Sequence, residues 1–379
     1  MQQPCADTVS PAARPTRLAF AIFGLGPGGA ERVTCTLSGY TARRGWDVRV
    51  VTMSAARGDA YALPPAVRRI SLDLASDSHG SLEAIVHSLQ RIATLRRVLR
   101  SLDPDVVVSF MPETNVLCLL AMWGTGVPVL VCERTDPRMA PLGRRWKLLR
   151  RALYPRAAGV AVQTECVARW ARAFCPRVHV IPNSVDRPHR FASALDAPGP
   201  KRLLAVGRLV PVKGFDLLIR AFAIAARDRP DWSLTILGEG RLRARLTALA
   251  EECGVAARIS MPGHVPDPTE HLTQGHAFAL SSRCEGFPNA LLEAMACGLP
   301  AVAFDCPSGP ADVITNEHDG LLVPAEDVPA FAAALGRIMD SPRERVRMGL
   351  HAREIATKLA PELILPQWME LLDAIARRS

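Results

Sequence analysis

The strongest constraint on how this 379-residue chain can fold is an alternation that runs along it twice. From Arg17 to Asp186, short apolar runs (LAFAIF, WDVRVVTM, VVVSF, VPVLVC, GVAVQ, HVIPN) alternate with segments of helical pattern, among them Ala30 to Arg44 and Leu82 to Leu102. Strands that are apolar at every position are buried on both faces, and intervening helices supply the crossovers that a parallel sheet requires. Residues Arg187 to Pro200, RPHRFASALDAPGP, then break the pattern with three prolines and a glycine, a linker composition. At Arg202 the pattern restarts with LLAVG, WSLTILG, RISMPG, HAFALSS, PAVAFD and GLLVP. The expectation is an α/β chain of two doubly wound, Rossmann-like domains: a disordered leader over 1–16, a first domain over 17–186, a linker over 187–200 and a second domain over 201–360. A final helix over 361–379 places Trp368, Leu371 and Leu372 on one side. Such sheets bind ligands beyond the carboxyl ends of their strands, and two that face each other form a cleft.

Composition narrows the classes of function. No apolar run reaches the ~20 residues of a membrane helix. The longest candidate, Val106 to Trp123, is cut by Ser109, Glu113 and Asn115, so a chain that does not span a bilayer is expected. MQQPCADTVSPAARPTR lacks the basic-then-apolar order of a secretory signal. The ten cysteines are scattered without metal-ligand spacing, which predicts neither zinc nor a disulfide framework and suits reduced thiols in a cytosol. A net charge of +9 invites a nucleic-acid partner, but the basic residues are dispersed and aromatics make up only 5% of the chain. That is too few for base-stacking platforms, so no nucleic acid is expected, and an anionic small substrate or membrane surface accounts for the charge equally well.

The stretch from Ser281 to Pro300, SSRCEGFPNALLEAMACGLP, concentrates the chemistry. A strand, Ala277 to Leu280, runs into Gly286, Phe287 and Pro288, and a helix follows that closes at Gly298. Strand, glycine turn and helix N-terminus together make an anion site, because unpaired backbone N–H groups and the positive end of the helix dipole point outward. A diphosphate suits it. Glu293 lies about five residues into that helix, roughly 7 Å along the axis, where a carboxylate accepts ribose hydroxyls. Glu285, in the loop before, is placed for sugar hydroxyls. The same residues also suit an ordinary strand, loop and helix with two solvated glutamates.

These residues resemble the donor-sugar motif of the family-four retaining glycosyltransferases, whose two glutamates are spaced as Glu285 and Glu293 are. Similarity to that family extends to IFGLGPGGAERV (Ile22 to Val33), HVIPNSVD (His179 to Asp186) and LLAVGRLVPVKGFDLLIRAF (Leu203 to Phe222). The PETN and CERTDP stretches look most like members that add N-acetylhexosamine to polyprenyl-diphosphate-linked glycans. The resemblance implies the GT-B fold and retaining transfer from a nucleotide-diphosphate sugar, UDP-linked, with no metal and no other cofactor. It implies that Arg208 and Lys213 hold the donor phosphates, with Glu285 as the third catalytic residue. Donor contacts fall to Gly28, Gly29, Gly263, Val265, Gly286, Phe287, Pro288, Asn289 and Glu293, the GHVP loop from Gly263 to Pro266 reading the base. Many family members carry a histidine after the fourth strand. This chain has Phe110 to Asn115 there, which makes Glu113 and Asn115 the acceptor candidates.

Other motifs are weighed beside these. Gly24, Gly26 and Gly29 spell G-x-G-x-x-G, but the second strand ends in Val51, Thr52 and Met53 without the acidic residue a nicotinamide cofactor wants, which demotes a dehydrogenase. Asp103 and Asp105 flank Pro104 at a strand's entry, so they read as a helix-to-strand turn and not as metal ligands. Gly143 to Arg156, GRRWKLLRRALYPR, sets Trp146, Leu149 and Leu153 among Arg144, Arg145, Lys147, Arg150 and Arg151. Such a helix suits an anionic membrane surface, or a plain surface position with an apolar stripe. The expectation is a cytoplasmic enzyme held peripherally at the inner membrane face. The rival readings are an inactive sugar-nucleotide-binding or scaffold protein on the same fold, the dehydrogenase and, less so, a sugar-nucleotide epimerase.

Overall fold

The computed structural model describes residues 14–378 except 27, 57–58, 75–80, 140–141, 193–194 and 197, and describes 81–85 by backbone alone. Residues 1–13 of the expected leader lie outside the described residues. Among the described residues thirteen strands follow in order: β1 Arg17–Ile22, β2 Asp47–Thr52, β3 Arg68–Ser71, β4 Val106–Phe110, β5 Val129–Cys132, β6 Gly159–Val162, β7 Val178–Val180, β8 Lys201–Val206, β9 Trp232–Leu237, β10 Ile259–Gly263, β11 Ala277–Leu280, β12 Ala301–Asp305 and β13 Gly320–Pro324. They form a seven-stranded sheet, β3-β2-β1-β4-β5-β6-β7, and a six-stranded sheet, β10-β9-β8-β11-β12-β13. The registers described within both sheets are parallel.

The central strands of the second sheet show why LLAV, AFAL and AVAF had to read as unbroken apolar runs. Successive side chains of a strand point to opposite faces. Leu203, Ala205, Ala277, Ala279, Val302 and Phe304 join one buried cluster with the helices Phe215–Ala225 and Val328–Asp340. Leu204, Phe278, Leu280, Ala301 and Ala303, the residues between them, join a second cluster with the helix Asn289–Ala296. Both faces of these three strands, β8, β11 and β12, are covered, whereas β9 keeps Ser233 and Thr235 at half-buried positions of one phase. Burying a Leu or Phe side chain contributes about 1.5–3 kcal/mol, which the strands collect on both sides.

By contacts the chain divides into two compact units, one of Met1–Ser109, Leu117–Leu130 and Leu372–Ser379, the other of Phe110–Val116 and Val131–Leu371. The second unit therefore contains the whole six-stranded sheet together with the loops that follow β4 and β5. In the first unit, Asp103 adopts a left-handed turn conformation (φ 45°) and pairs with Arg17. Asp105 takes Arg14 in a two-point contact and the Arg17 backbone N–H at 2.8 Å. Both aspartates thus serve the turn into β4. No described helix is long and apolar enough to cross a membrane.

Candidate functional site

The six-stranded sheet reverses its winding between β8 and β11, and in doubly wound sheets the loops leaving the strands at such a point part to form a crevice. After β8 comes Gly207, then exposed Arg208 and the short turn Pro211–Lys213. After β11 comes the loop Ser281–Pro288. The two loops are laced together. Ser281 Oγ donates to the Lys213 carbonyl at 3.0 Å, and the Arg283 N–H donates to the Val212 carbonyl at 2.8 Å. The Arg283 guanidinium bonds the Pro211 carbonyl at 2.7 Å and grips Asp216, whose carboxyl that contact holds below the usual range. Gly214 (φ 61°) is obligatory here, because a Cβ would stand 2.0 Å from the Ser281 carbonyl oxygen.

This lacing delivers Lys213 to Glu285. Lys213 Nζ donates to Glu285 Oε1 at 2.6 Å, and Ser282 Oγ donates to the same oxygen at 2.5 Å. Glu285 is buried while Lys213 is partly open to solvent. The Arg208 side chain makes no hydrogen bond or ion pair with the described residues. Beyond Glu285, the Gly286 backbone lies so close to the loop after β5 that a Cβ would meet the Arg134 carbonyl oxygen at 2.2 Å. Phe287 is buried, and Pro288 is the N-cap rather than the first residue of the helix Asn289–Ala296. The Pro288 carbonyl accepts from Leu291 and Leu292 at 3.0 and 3.1 Å, and no side chain caps this helix, the kind of N-terminus at which anions bind. Asn289 is tied to Asn183, in the loop after β7, at 2.5 Å. Glu293, half-buried, stands one turn further along, and Gly298 (φ 88°) closes the helix as expected.

Gly263 ends β10 with φ 102°, its carbonyl accepting from Gly238 at 2.8 Å, and Val265 follows half-buried. Gly28 and Gly29 open the helix Gly29–Arg43 in the other compact unit. A Cβ on Gly28 would stand 2.2 Å from the Glu31 carboxylate.

The loops after β4 and β5 hold a second constellation, in which sequence reading gave roles to Glu113 and Asn115 alone. Met111 (φ 77°) turns the chain into the helix Pro112–Ala121, where Glu113 is exposed and Asn115 fully buried. Asn115 Nδ2 donates to the Cys132 carbonyl at 3.1 Å and to Tyr154 Oη at 2.9 Å, and Tyr154 Oη donates to Glu133 Oε1 at 2.6 Å. Burial pushes the Glu133 carboxyl up to about 7 despite Arg150, whose Nη1 is 3.5 Å away. Next to it, the Arg134 guanidinium is buried between the Phe110 and Trp368 rings, 5.3 Å from each centroid, with no hydrogen bond to its nitrogens, and burial lowers its pKa to about 10. Two ionisable residues at the carboxyl end of an apolar strand were the available signal.

One expectation needs correction. Arg150 does not belong to the solvent-facing cations of the Gly143 to Arg156 segment: it is buried, pairs with Glu133 and stacks on Trp170 with 4.7 Å to the ring centroid. Helical spacing puts it there, because Arg150 follows Trp146 by four residues and shares its inward face. Arg144, Arg145, Lys147 and Arg151 are exposed, together with Leu148 (70% exposed) and Leu149 (39%), while Trp146 is half-buried.

Two family descriptions cover most of the chain: "Glycosyl transferase 4-like domain" matches residues 28–184 and "Glycosyl transferases group 1" matches residues 186–355. An exopolysaccharide phosphotransferase of Streptomyces coelicolor is 33% identical over 293 residues, 75% of this chain, which spans only 30% of that relative's length. A Campylobacter jejuni protein named as an α-1,4-N-acetyl-D-galactosaminyltransferase acting on a GalNAc-containing, undecaprenol-diphosphate-linked glycan is 24% identical over 95% of this chain and 99% of its own. Among solved structures, the Anabaena HepE protein in complex with UDP matches with a TM-score of 0.77 at 17% identity, over 95% of this chain and 100% of the other. A paired group 1 and 4-like domain on two doubly wound sheets defines the lineage, and the chain belongs to the GT-B glycosyltransferases of family four.

Proposed function

We propose that this glycosyltransferase moves a hexose, an N-acetylhexosamine by its subgroup resemblance, from a UDP-linked donor to a polyprenyl-diphosphate-linked glycan, with retention of configuration and without a metal. The observation that carries the reading is the Lys213 to Glu285 contact of 2.6 Å at the winding reversal, beside an uncapped helix N-terminus. In the proposed reaction the bond between the anomeric carbon and the donor diphosphate breaks, and the acceptor oxygen bonds that carbon on the same face. The departing diphosphate oxygen takes the acceptor proton. Arg208 and Lys213 stabilise the charge that builds on that oxygen, a task in which fixed cations in a water-poor site are effective. Glu285, oriented by Ser282 and Lys213, addresses the sugar hydroxyls, and Glu293 the ribose. Gly286, Phe287, Pro288 and Asn289 line the diphosphate and Gly263 and Val265 the base, while in the sequence-assigned first domain, 17–186, Gly28 and Gly29 are assigned to the donor and Glu113 and Asn115 to the acceptor side. The helix 361–379 is read as returning to that domain.

The acceptor confines the enzyme to a membrane face, and we assign the docking surface to the Gly143 to Arg156 segment with Arg144, Arg145, Lys147 and Arg151, at ~1 kcal/mol per cation near an anionic leaflet. The location that follows is the cytoplasmic side. The C. jejuni relative's named acceptor and the UDP held by the Anabaena protein support acceptor and donor classes. The test is a thermal-shift panel of nucleotide-sugars followed by transfer to a prenyl-diphosphate-linked N-acetylhexosamine, with and without chelator. A ligand at 100 times its Kd stabilises by about 2.7 kcal/mol, a readable shift. Binding of no nucleotide-sugar would favour the scaffold reading, and activity that requires added manganese or magnesium would overturn the metal-free assignment. Sedimentation with anionic vesicles should weaken with salt and disappear when the four cations become glutamine. A folded variant that sediments like the parent returns the helix to an ordinary surface role.

A further inference from the structure

The chain Asn115 to Tyr154 to Glu133 joins buried polar groups from three separate elements. Each sits at the end of a different element: Asn115 in the first turns of the helix Pro112–Ala121, Glu133 directly after β5, and Tyr154 in the turn that follows the helix Arg144–Leu153. All three are buried, and the hydrogen bonds run one way, from Asn115 Nδ2 to Tyr154 Oη and from Tyr154 Oη to Glu133 Oε1. Two acceptors are left over, Glu133 Oε2 and Asn115 Oδ1, both buried without a hydrogen bond. An unpaired buried acceptor is costly, so a polar cluster that retains two is maintained for something other than stability. What the cluster holds is the start of the helix that presents exposed Glu113.

We propose that Glu133 is a positioning residue for the acceptor: through Tyr154 it fixes Asn115, and through Asn115 the turn that carries Glu113. This rests on the assignment of Glu113 and Asn115 to the acceptor side of the transfer. Asn115 acts in it as a buried strut, and Glu113 is the group that reaches the substrate. The device is proton-linked. A neutral Glu133 replaces one surplus acceptor by a donor, whereas an ionised one adds a buried negative charge that repels Glu113. Burial is the main influence that favours the neutral form, and Glu113 adds a smaller push in the same direction. Opposing them are Arg150, from the helix Arg144–Leu153, and the Tyr154 hydroxyl, while the Cys132 and Cys175 thiols are further titratable groups that face Glu133. As pH rises through 7 the helix start is therefore loosened and the acceptor KM climbs, with the donor KM unaffected.

The experiment measures KM for a UDP-sugar and for a prenyl-diphosphate-linked N-acetylhexosamine between pH 6 and 8, in the parent, Tyr154→Phe and Glu133→Gln. Tyr154→Phe is expected to raise the acceptor KM roughly 10-fold, the scale of one buried hydrogen bond, and to leave the donor KM alone. Glu133→Gln keeps an acceptor for Tyr154 and cannot ionise, so its acceptor KM should lose the parent's dependence on pH. Thermal melts and circular dichroism establish that each variant is folded, and Tyr154→Leu replaces Tyr154→Phe if the latter is not. If transfer occurs while both variants keep the parent's acceptor KM at every pH, the positioning role is wrong and the transfer reading stands. If the parent binds a UDP-sugar but transfers to no prenyl-diphosphate acceptor, the acceptor assignment fails and this inference with it.

Discussion

Two buried carboxylates of the same compact unit, Glu285 and Glu133, each follow an apolar strand, and they differ in how closely charge and hydrogen-bond partners meet them. Glu285 has an ammonium at 2.6 Å and a hydroxyl at 2.5 Å on one oxygen. Glu133 has a comparable hydroxyl at 2.6 Å, but its guanidinium is 3.5 Å away and its second oxygen is unpaired. A carboxylate in contact with a cation gains Coulomb energy to set against the loss of water, whereas one at arm's length is left to its desolvation. The first arrangement suits a charge that orients a substrate. The second suits a group that changes charge within the working pH range.

The largest expected effect breaks the first member of the pair. Lys213→Ala and Arg208→Ala should each slow transfer by roughly 100-fold or more, the scale of a lost transition-state charge contact, with secondary structure retained. Transfer at the parent's rate by a folded double variant would remove both residues from the mechanism. Next in size is Gly286→Ala, whose Cβ would meet backbone oxygen at 2.2 Å. Separating the Glu285 loop from the Arg134 carbonyl should cost about 1–3 kcal/mol, read as a lower Tm, and weaken donor binding with it. A parent-like Tm and donor KM would show that the close approach is dispensable.

The smallest effect sharpens the second member. Because the folded state holds Glu133 protonated up to about 7, folded and unfolded chains bind the same protons below the ordinary carboxylate range and again above about 7, and differ only between the two. As pH rises from that range to 7 the unfolded chain ionises first, so the folded state loses stability, and above about 7 the penalty is constant. Glu133→Gln lacks this penalty. Its Tm should equal or trail the parent's at pH 4 and gain on it steadily to pH 7, by on the order of 1–2 °C per kcal/mol at this length. A difference in Tm that does not change with pH would mean that Arg150 keeps Glu133 ionised.

Much of the architecture was legible before any coordinates. The runs VVVSF and AVAF announced strands covered on both faces, because a single polar side would have forced alternation, and the Ala277–Leu280 strand falls where it was read. Glu285, Gly286 and Glu293 were legible through their spacing about a turn and a helix start. Glu133, Arg134 and Tyr154 were not, since no local pattern distinguishes a charged residue that turns inward from one that turns to water. Arg150 was misread for the same reason: in the sequence it is one of five cations, and only its neighbours Trp170 and Glu133 remove it from the surface.

The sequence by itself therefore determined the class of fold, the family and the loops from which the candidate site is built, since periodicity and turn chemistry act over a few residues. Tertiary structure alone decided that Lys213 and Glu285, 72 residues apart, share a hydrogen bond, and that Asn115, Tyr154 and Glu133 form a chain. Those contacts depend on which strand lies beside which. Strand order is settled by how helices cover both faces of a sheet, a property of the whole assembled layer that no local stretch of sequence carries.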